Sequence, residues 1–131
     1  IGGVHMGLDM SAGWLDTTSD STENVFEWRK HAQLHEFMRQ LWYDRKDEEA
    51  PYGVMGCEFN CVDFYLEKED ILQLRDLVTN GNLPEAKDGV FWGTEYQQES
   101  SREYLEQDLN FCNVALEWLE DNKKVWYNCW W

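Results

Sequence analysis

The sequence predicts a small single α+β domain, in which a mixed or antiparallel sheet of four to five short strands carries three helices mainly on one face. The chain has 131 residues, the usual size of one domain. Its apolar residues change between the period of two that is typical of strands and the period near 3.6 that is typical of helices. Eight Trp, six Tyr and six Phe supply the aromatic surface that disordered acidic chains lack. The strands are short and some connections are long, which favours this arrangement over a doubly wound parallel sheet.

The domain is expected to span residues 6–131, with residues 1–5 the remnant of a cloning junction, of which His5-Met6 is typical. Residues 11–23 are rich in Ser, Thr and Asp, have little periodicity and predict a long, mobile loop. A strand before this loop would bring the number of strands to five.

The first clear strand is predicted at Val25–Lys30, where Phe26 and Trp28 share a face. A helix follows from Ala32, because apolar residues then recur at helical spacing. These apolar positions are Leu34, Phe37, Met38, Leu41 and Trp42. Residues 44–50 are polar and predict a second loop.

The next strand is predicted at residues 59–66, with apolar side chains on both faces. Val62, Phe64 and Leu66 point one way, and Phe59, Cys61 and Tyr65 point the other. A second helix is predicted from about Lys68 to Thr79, because the pair Asn80-Gly81 is a typical stop signal.

The last third of the chain predicts a short strand at Val90–Trp92, a long third helix and a terminal strand at 125–131. Ser100 and Glu103 have the spacing of a capping box, which places the start of the third helix there. Asp121-Asn122 ends it, and its wide apolar face predicts a core helix. That face is formed by Leu105, Leu109, Cys112, Leu116 and Leu119, with Tyr104, Phe111, Ala115 and Trp118 beside them. In the terminal strand, Trp126 and Trp130 share a face that we expect to lie in the core.

The net charge is −15, from 26 acidic and 11 basic residues. Direct binding to nucleic acid or to an anionic membrane is therefore not expected, because both need a positive surface. The sequence has no apolar run of membrane-spanning length and no signal-peptide pattern at its start. Cys57, Cys61, Cys112 and Cys129 match no zinc spacing, and we expect four free thiols in a reducing cytosol. The alternative is a bond between Cys57 and Cys61, formed by oxidation in air.

Catalytic and cofactor motifs are absent from the sequence, so no cofactor and no metal are expected. His31 and His35 have the i, i+4 spacing of a zinc-binding helix. The metalloprotease pattern needs Glu at position 32, where this chain has Ala32, and no third ligand lies nearby. We therefore favour a structural role for both histidines over a zinc site.

A basic segment interrupts the acidic chain where the first strand meets the first helix. Arg29, Lys30 and His31 are consecutive there, and His35 lies one helical turn further on. Arginine binds carboxylates and phosphates in a bidentate manner, and helix N–H groups add donors. We therefore expect a site for a small anionic ligand at Arg29, Lys30, His31 and His35, with Trp92 and Tyr96 closing over it. The alternative is that the segment only balances surrounding carboxylates.

Six segments occur in a characteristic order: MGLDM at 6–10, EWRK at 27–30, LHEF at 34–37, LP at 83–84, GVFWG at 89–93 and YNCWW at 127–131. In this the chain resembles a family of small phage and bacterial proteins of unknown function. Members of that family carry MGLDMY, YWRK with IHGWF, LP with GFFFG, and an ending similar to YY-x-SSW. The resemblance implies a phage-encoded protein that works in the cytosol of a bacterial host, and it supplies no mechanism. Asn128-Cys129 replaces the serines of the last motif, so this chain is not expected to share any chemistry of those serines.

Three functions remain open from the sequence. The first is a non-catalytic accessory protein that acts by binding, with the basic segment as its site. The second is an acidic decoy that mimics nucleic acid and inhibits a host or defence protein. The third is a small enzyme with His35 as general base and Arg29 or Lys30 as electrostatic stabilisers. Self-association to a homodimer is also expected, because few elements remain to cover the second apolar face of residues 59–66.

Overall fold

A computed structural model of the chain describes residues 7–46, 59, 62–86 and 96–130. In these residues it shows four helices and a four-stranded antiparallel sheet, which confirms the predicted α+β class. The elements are β1 (Asp9–Asp16), β2 (Ser21–Arg29), α1 (Ala32–Arg45), β3 (Phe64–Leu66), α2 (Lys68–Thr79), α3 (Gln97–Glu103), α4 (Leu105–Glu120) and β4 (Lys124–Trp130). The predicted strand at 90–92, residues Cys57 and Cys61, and Trp131 lie outside the described residues.

The sheet has the strand order β2-β1-β4-β3, so the first and last strands of the chain pair in its centre. The prediction of a long loop at 11–23 is wrong, because β1 and β2 form a hairpin there. Only residues 17–20 are the turn, in which the Asp16 carboxylate accepts a hydrogen bond from the Thr18 N–H at 3.0 Å. Ser and Thr are common in loops, but they also fit the exposed start of an edge strand, where side-chain periodicity is weak.

A bulge interrupts the pairing of the hairpin between Ala12 and Gly13. A Cβ atom at Gly13 would lie 1.8 Å from the Glu23 carbonyl oxygen and 2.8 Å from the Trp126 ring. Only glycine allows β2 and the indole of Trp126 to approach this closely.

Helices α1 and α2 are confirmed at the predicted starts, Ala32 and Lys68. Gly81 has φ +68° just after α2, and the Asn82 N–H bonds to the Leu77 carbonyl oxygen at 2.8 Å. A left-handed glycine that closes the last turn in this way is the expected end of a helix.

The predicted third helix is two helices, since the chain breaks at Tyr104 between α3 and α4. Ser100 lies inside α3, so its assignment as the capping residue is wrong. The core face of α4 is also rotated from the predicted leucine stripe. Its buried residues are Asp108, Phe111, Cys112, Ala115 and Trp118, whereas Leu105 is exposed.

The core lies between one face of the sheet and the helices, and α4 packs against β1 and β4. From β4 it receives Val125, Tyr127 and Cys129, so the expectation that Trp126 and Trp130 lie in the core is wrong. Phe59 is fully buried and contacts Phe64 edge-on at 5.8 Å between ring centroids. The predicted second apolar face of residues 59–66 is therefore exposed, among the described residues, only at Tyr65.

Candidate functional site

The junction between β2 and α1 turns the chain sharply at Lys30. Lys30 has φ +57°, and its N–H bonds to the Leu8 carbonyl oxygen at 2.8 Å. The left-handed conformation ends the strand and allows the helix to begin two residues later, with His31 as its N-terminal cap position. Arg29 remains in the sheet, opposite Asp9 on β1.

A buried polar cluster lies behind this junction and connects β2, α1 and α4. The Trp28 indole N–H donates to one oxygen of the Asp108 carboxylate at 2.9 Å, and His31 Nε2 lies 2.6 Å from the other. The side chains of His31 and Asp108 are fully buried. We assign His31 Nε2 as a second donor to the Asp108 carboxyl group, beside the Trp28 indole N–H. His31 Nδ1 is buried and has no hydrogen-bond partner in the described part of the chain.

Tyr104, the residue between α3 and α4, connects this cluster to the surface. Its ring stacks on His31 with 5.2 Å between ring centroids. Its hydroxyl accepts a hydrogen bond from the Arg29 N–H at 3.1 Å and donates to the Arg29 carbonyl at 3.4 Å. One helical turn further, the Gln107 amide donates to the Glu27 carbonyl at 2.6 Å. These contacts satisfy the outer edge of β2 and fix the backbone that carries Arg29.

An open groove of about 550 Å³ lies on the sheet surface in front of the junction. Its described lining consists of Asp9, Met10, Ser11, Asn24, Glu27, Trp28, Arg29, Tyr104, Asn128 and Trp130. The Arg29 side chain is 71% exposed, and its Nε lies 3.7 Å from an Asp9 carboxylate oxygen. The Trp130 side chain is also exposed, so an arginine and an indole line the same groove.

The predicted ligand-binding residues are only partly brought together. Arg29 lines the groove, and Lys30 is exposed beside it without lining it. His31 and His35 are fully buried, so neither shares a solvent-facing surface with the two cations. Tyr96 is exposed before the start of α3 and does not line this groove. Trp92 lies outside the described residues.

His35 occupies an apolar environment in the core. Its Nδ1 lies 2.9 Å from the Tyr127 hydroxyl, and its ring stacks on Phe59 with 5.4 Å between centroids. Burial, and to a lesser extent the Arg39 charge, lower the pKa of His35 to about 3. A general base must reach the proton that it removes, so the geometry does not support His35 in that role.

Sequence reasoning missed Asp108, Tyr104 and Trp130. A signal for Asp108 was present, because it lies three and seven residues before Phe111 and Ala115, on the buried face of α4. A single acidic residue on an apolar helix face indicates a buried polar contact. Trp130 has no comparable signal, because both faces of the terminal strand carry aromatic residues.

No group of three or more metal-ligating side chains occurs within the described ranges, which include His31 and His35. No helix among the described residues is long and apolar enough to cross a membrane. Comparison with family models, curated proteins and solved structures gave no match to this chain.

Proposed function

We propose that the protein acts without catalysis, by binding a small anionic ligand in the groove that Arg29 and Trp130 line. The exposed Arg29 guanidinium carries the proposal, because its backbone is fixed by Tyr104 while its side chain remains available. Arginine forms parallel hydrogen bonds with carboxylates and phosphates, and an exposed indole offers a flat apolar surface to the rest of a ligand.

The contact between Arg29 and Asp9 does not oppose this function. The two side chains are 71% and 45% exposed and lie 3.7 Å apart at their closest atoms. Exposed ion pairs of this kind stabilise proteins by about 0–1 kcal/mol. Breaking this pair therefore costs little, and the ligand contacts must outweigh the repulsion from the Asp9 and Glu27 carboxylates that also line the groove.

Thermal unfolding in the presence of sulfate and of adenosine monophosphate tests the proposal. Sulfate stabilises folded proteins by exclusion from their surface, so the informative quantity is the difference between wild type and Arg29→Gln. We expect the Tm of the wild type to rise with ligand concentration, as binding to the folded state requires, and the rise to be reduced in Arg29→Gln. Arg75→Gln is the matched control, because Arg75 lies on α2 and does not line the groove.

Equal shifts in wild type and Arg29→Gln would contradict the proposal, and so would the absence of any shift in the wild type. Trp130→Leu tests the second contact, since it should weaken the nucleotide more than the sulfate. If Trp130→Leu reduced the Tm shifts of sulfate and nucleotide equally, Trp130 would not contact the ligand.

The second candidate is the acidic decoy. It is favoured because several of the described cations already contact carboxylates or aromatic rings of the protein itself. Arg39 and Arg45 pair with Glu36 and Asp70, while Lys46, Lys123 and Lys124 lie over aromatic rings. With a net charge of −15, a surface on which five of the ten described cations are engaged in this way suits a basic partner. A decoy should displace duplex DNA from a basic nucleic-acid-binding protein, with an affinity that falls steeply as salt rises. If sulfate and nucleotide give no shift, this candidate takes first place.

We also propose that the protein is phage-encoded and works in the cytosol of a bacterial host. The resemblance in motif order supports the origin. The free thiol of Cys112, which is buried, agrees with a reducing compartment. Electrospray mass spectrometry of the unreduced protein after alkylation in denaturant tests this, because four modified cysteines are expected.

A further inference from the structure

A second groove, of about 580 Å³, lies between the end of α2 and the α3–α4 junction. Its described lining consists of Gln33, Val78, Thr79, Asn80, Gly81, Leu83, Gln98, Ser101, Arg102 and Leu105. It shares none of these residues with the Arg29 groove. It is therefore a separate surface, to which the proposed function assigns nothing.

The charge of this lining differs from that of the chain. Acidic residues make up 26 of the 131 positions, yet none of the described lining residues is acidic. Arg102 is the charged residue among them, and it forms no ion pair with any other described residue. An anion that enters this groove therefore meets a guanidinium that forms no ion pair with the described residues and, from the described walls, no carboxylate.

The polar wall of the groove is held in place by hydrogen bonds. Gln33 is 8% exposed, and its amide donates to the Leu83 carbonyl oxygen at 3.2 Å. The Ser101 hydroxyl donates to the Gln33 amide oxygen, which connects α3 to α1. Ser101 precedes Arg102 directly, so this contact fixes the position from which the arginine extends.

The end of α2 forms the opposite wall and is closed by its own backbone. The Gly81 N–H bonds to the Val78 carbonyl at 3.2 Å, and the Asn82 N–H bonds to the Leu77 carbonyl at 2.8 Å. Unpaired carbonyl oxygens at a helix C-terminus carry partial negative charge and would repel an anion. These bonds satisfy two of them. Val78, Leu83 and Leu105 add apolar surface, and Leu105 is 41% exposed.

We propose that this groove binds a small organic anion, with a carboxylate or phosphate monoester at Arg102 and an apolar body against Leu83 and Leu105. The combination of one charged donor, fixed polar groups and an apolar wall is typical of small-molecule sites. The ligand class follows from Arg102 and from the absence of carboxylates among the described lining residues. A ligand without negative charge would not use Arg102, and an anion without an apolar body would leave the two leucines in water.

Binding is measured by ¹⁵N–¹H correlation spectra of the full chain, titrated with phenyl phosphate, phenylacetate, benzyl alcohol and inorganic phosphate. We expect the two aromatic anions to shift the amides of Leu83, Ser101 and Arg102 with a Kd of about 1 mM, as suits ligands this small. Benzyl alcohol and inorganic phosphate should each bind about tenfold more weakly, since each lacks half of the recognition. The tighter of the two aromatic anions identifies the group, carboxylate or phosphate, that the site prefers.

Three variants locate the site. Arg102→Gln should weaken the aromatic anions about tenfold, while Arg102→Lys, which keeps the charge, should weaken them less. Arg75→Gln removes a comparable charge outside the groove and should leave the Kd unchanged. Arg29→Gln should also leave it unchanged, which separates this site from the proposed function. Equal affinity in wild type and Arg102→Gln, or no shift of the Leu83, Ser101 and Arg102 amides at about 10 mM ligand, would overturn the proposal. Shifts around Arg29 that persist in Arg102→Gln report the other groove and do not count for this one.

Discussion

His31, which caps α1, and His35, one turn further along, are buried in different surroundings, and the burial of His35 has a measurable consequence. The pKa of His35 falls to about 3 in the folded protein, first because of burial and then because of Arg39. In the unfolded chain the same group has a pKa of about 6.5. The unfolded state therefore binds more protons between these values, and folding loses stability as pH falls through this window.

The expected loss between pH 7.5 and pH 5 is about 2 kcal/mol from His35, at about 1.4 kcal/mol per pH unit below 6.5. Urea unfolding at these pH values measures it. His35→Gln is the control, because it removes the titrating ring, and the difference between the two proteins isolates His35 from the carboxylates. If the free energies of unfolding of both proteins changed in parallel, His35 would not be buried as the structure shows.

Asp108 supports a separate prediction, which concerns stability at constant pH. Asp108→Ala leaves the Trp28 and His31 N–H groups buried without an acceptor, and each such group costs about 1–3 kcal/mol. Asp108→Asn should cost less, because its amide oxygen can still accept from Trp28 while His31 changes tautomer.

Chemical unfolding of both variants measures the difference, with Glu117→Ala, an exposed acid on the same helix, expected within about 0.5 kcal/mol of wild type. Equal costs for Asp108→Ala and Glu117→Ala would show that the buried cluster does not form. The sequence favoured a structural role for His31 and His35 over a zinc site, but it also placed both in the predicted anion site. The structure buries both, which agrees with the structural role and removes them from the solvent-facing surface of Arg29 and Lys30. The sequence did not identify the partners of these histidines, because they are distant along the chain. Asp108 is 77 residues from His31, and Tyr127 is 92 residues from His35.

At the scale of elements, the hairpin of β1 and β2 depends on a single glycine. A side chain at Gly13 would meet the Glu23 backbone, which cannot move without breaking the pairing. Gly13→Ala should therefore destabilise the fold by about 1–3 kcal/mol or more, the usual cost of overpacking. Gly7→Ala is the matched control, since its Cβ would make only an ordinary 3.5 Å contact with the Lys30 side chain. Thermal unfolding of the two variants compares them, and equal Tm values would contradict the close approach at the bulge.

The orientation of α4 supplies another test. Phe111 is fully buried, whereas Leu109 and Leu116 are only partly buried against the core. Phe111→Ala should cost about 3–5 kcal/mol, the range for a buried aromatic residue, and Leu109→Ala or Leu116→Ala clearly less. Urea unfolding ranks the three variants. If the two leucine variants were destabilised more than Phe111→Ala, the leucine face that the sequence predicted would be the buried face of α4.

The helices were more predictable than the strands for a physical reason. Apolar spacing located α1 and α2, since a helix buries one stripe of its own residues. The same reasoning missed the break at Tyr104, because the break depends on the contacts of Tyr104 with His31 and Arg29, which are distant in sequence. It also missed β1, whose pairing with β4 connects the two ends of the chain.

At the scale of the whole molecule, the helices cover one face of the sheet and leave aromatic residues exposed on the other. Tyr65 and Trp130 are 41% and 53% exposed there, on neighbouring strands. The sequence predicted the layer arrangement correctly but assigned Trp130 to the core. The terminal strand has aromatic residues on both faces, so its pattern alone does not decide which face meets the helices.

Because these aromatic residues are exposed, we still expect a homodimer. Because the net charge is high, we expect it at high salt concentration. Burying Tyr65 and Trp130 against a second copy would remove apolar surface from water, at about 25 cal/mol per Å². Two chains with a charge of −15 each repel one another, and salt screens that repulsion over a Debye length of about 10 Å at 0.1 M.

Sedimentation at micromolar concentration should therefore give a mass near 15.6 kDa in dilute buffer and a larger mass at about 0.5 M sodium chloride. Trp130→Ser should abolish the increase, whereas Val25→Ser, which removes an exposed apolar residue from the edge strand β2, should not. A constant monomer mass in both buffers would show that this face is not a self-association surface.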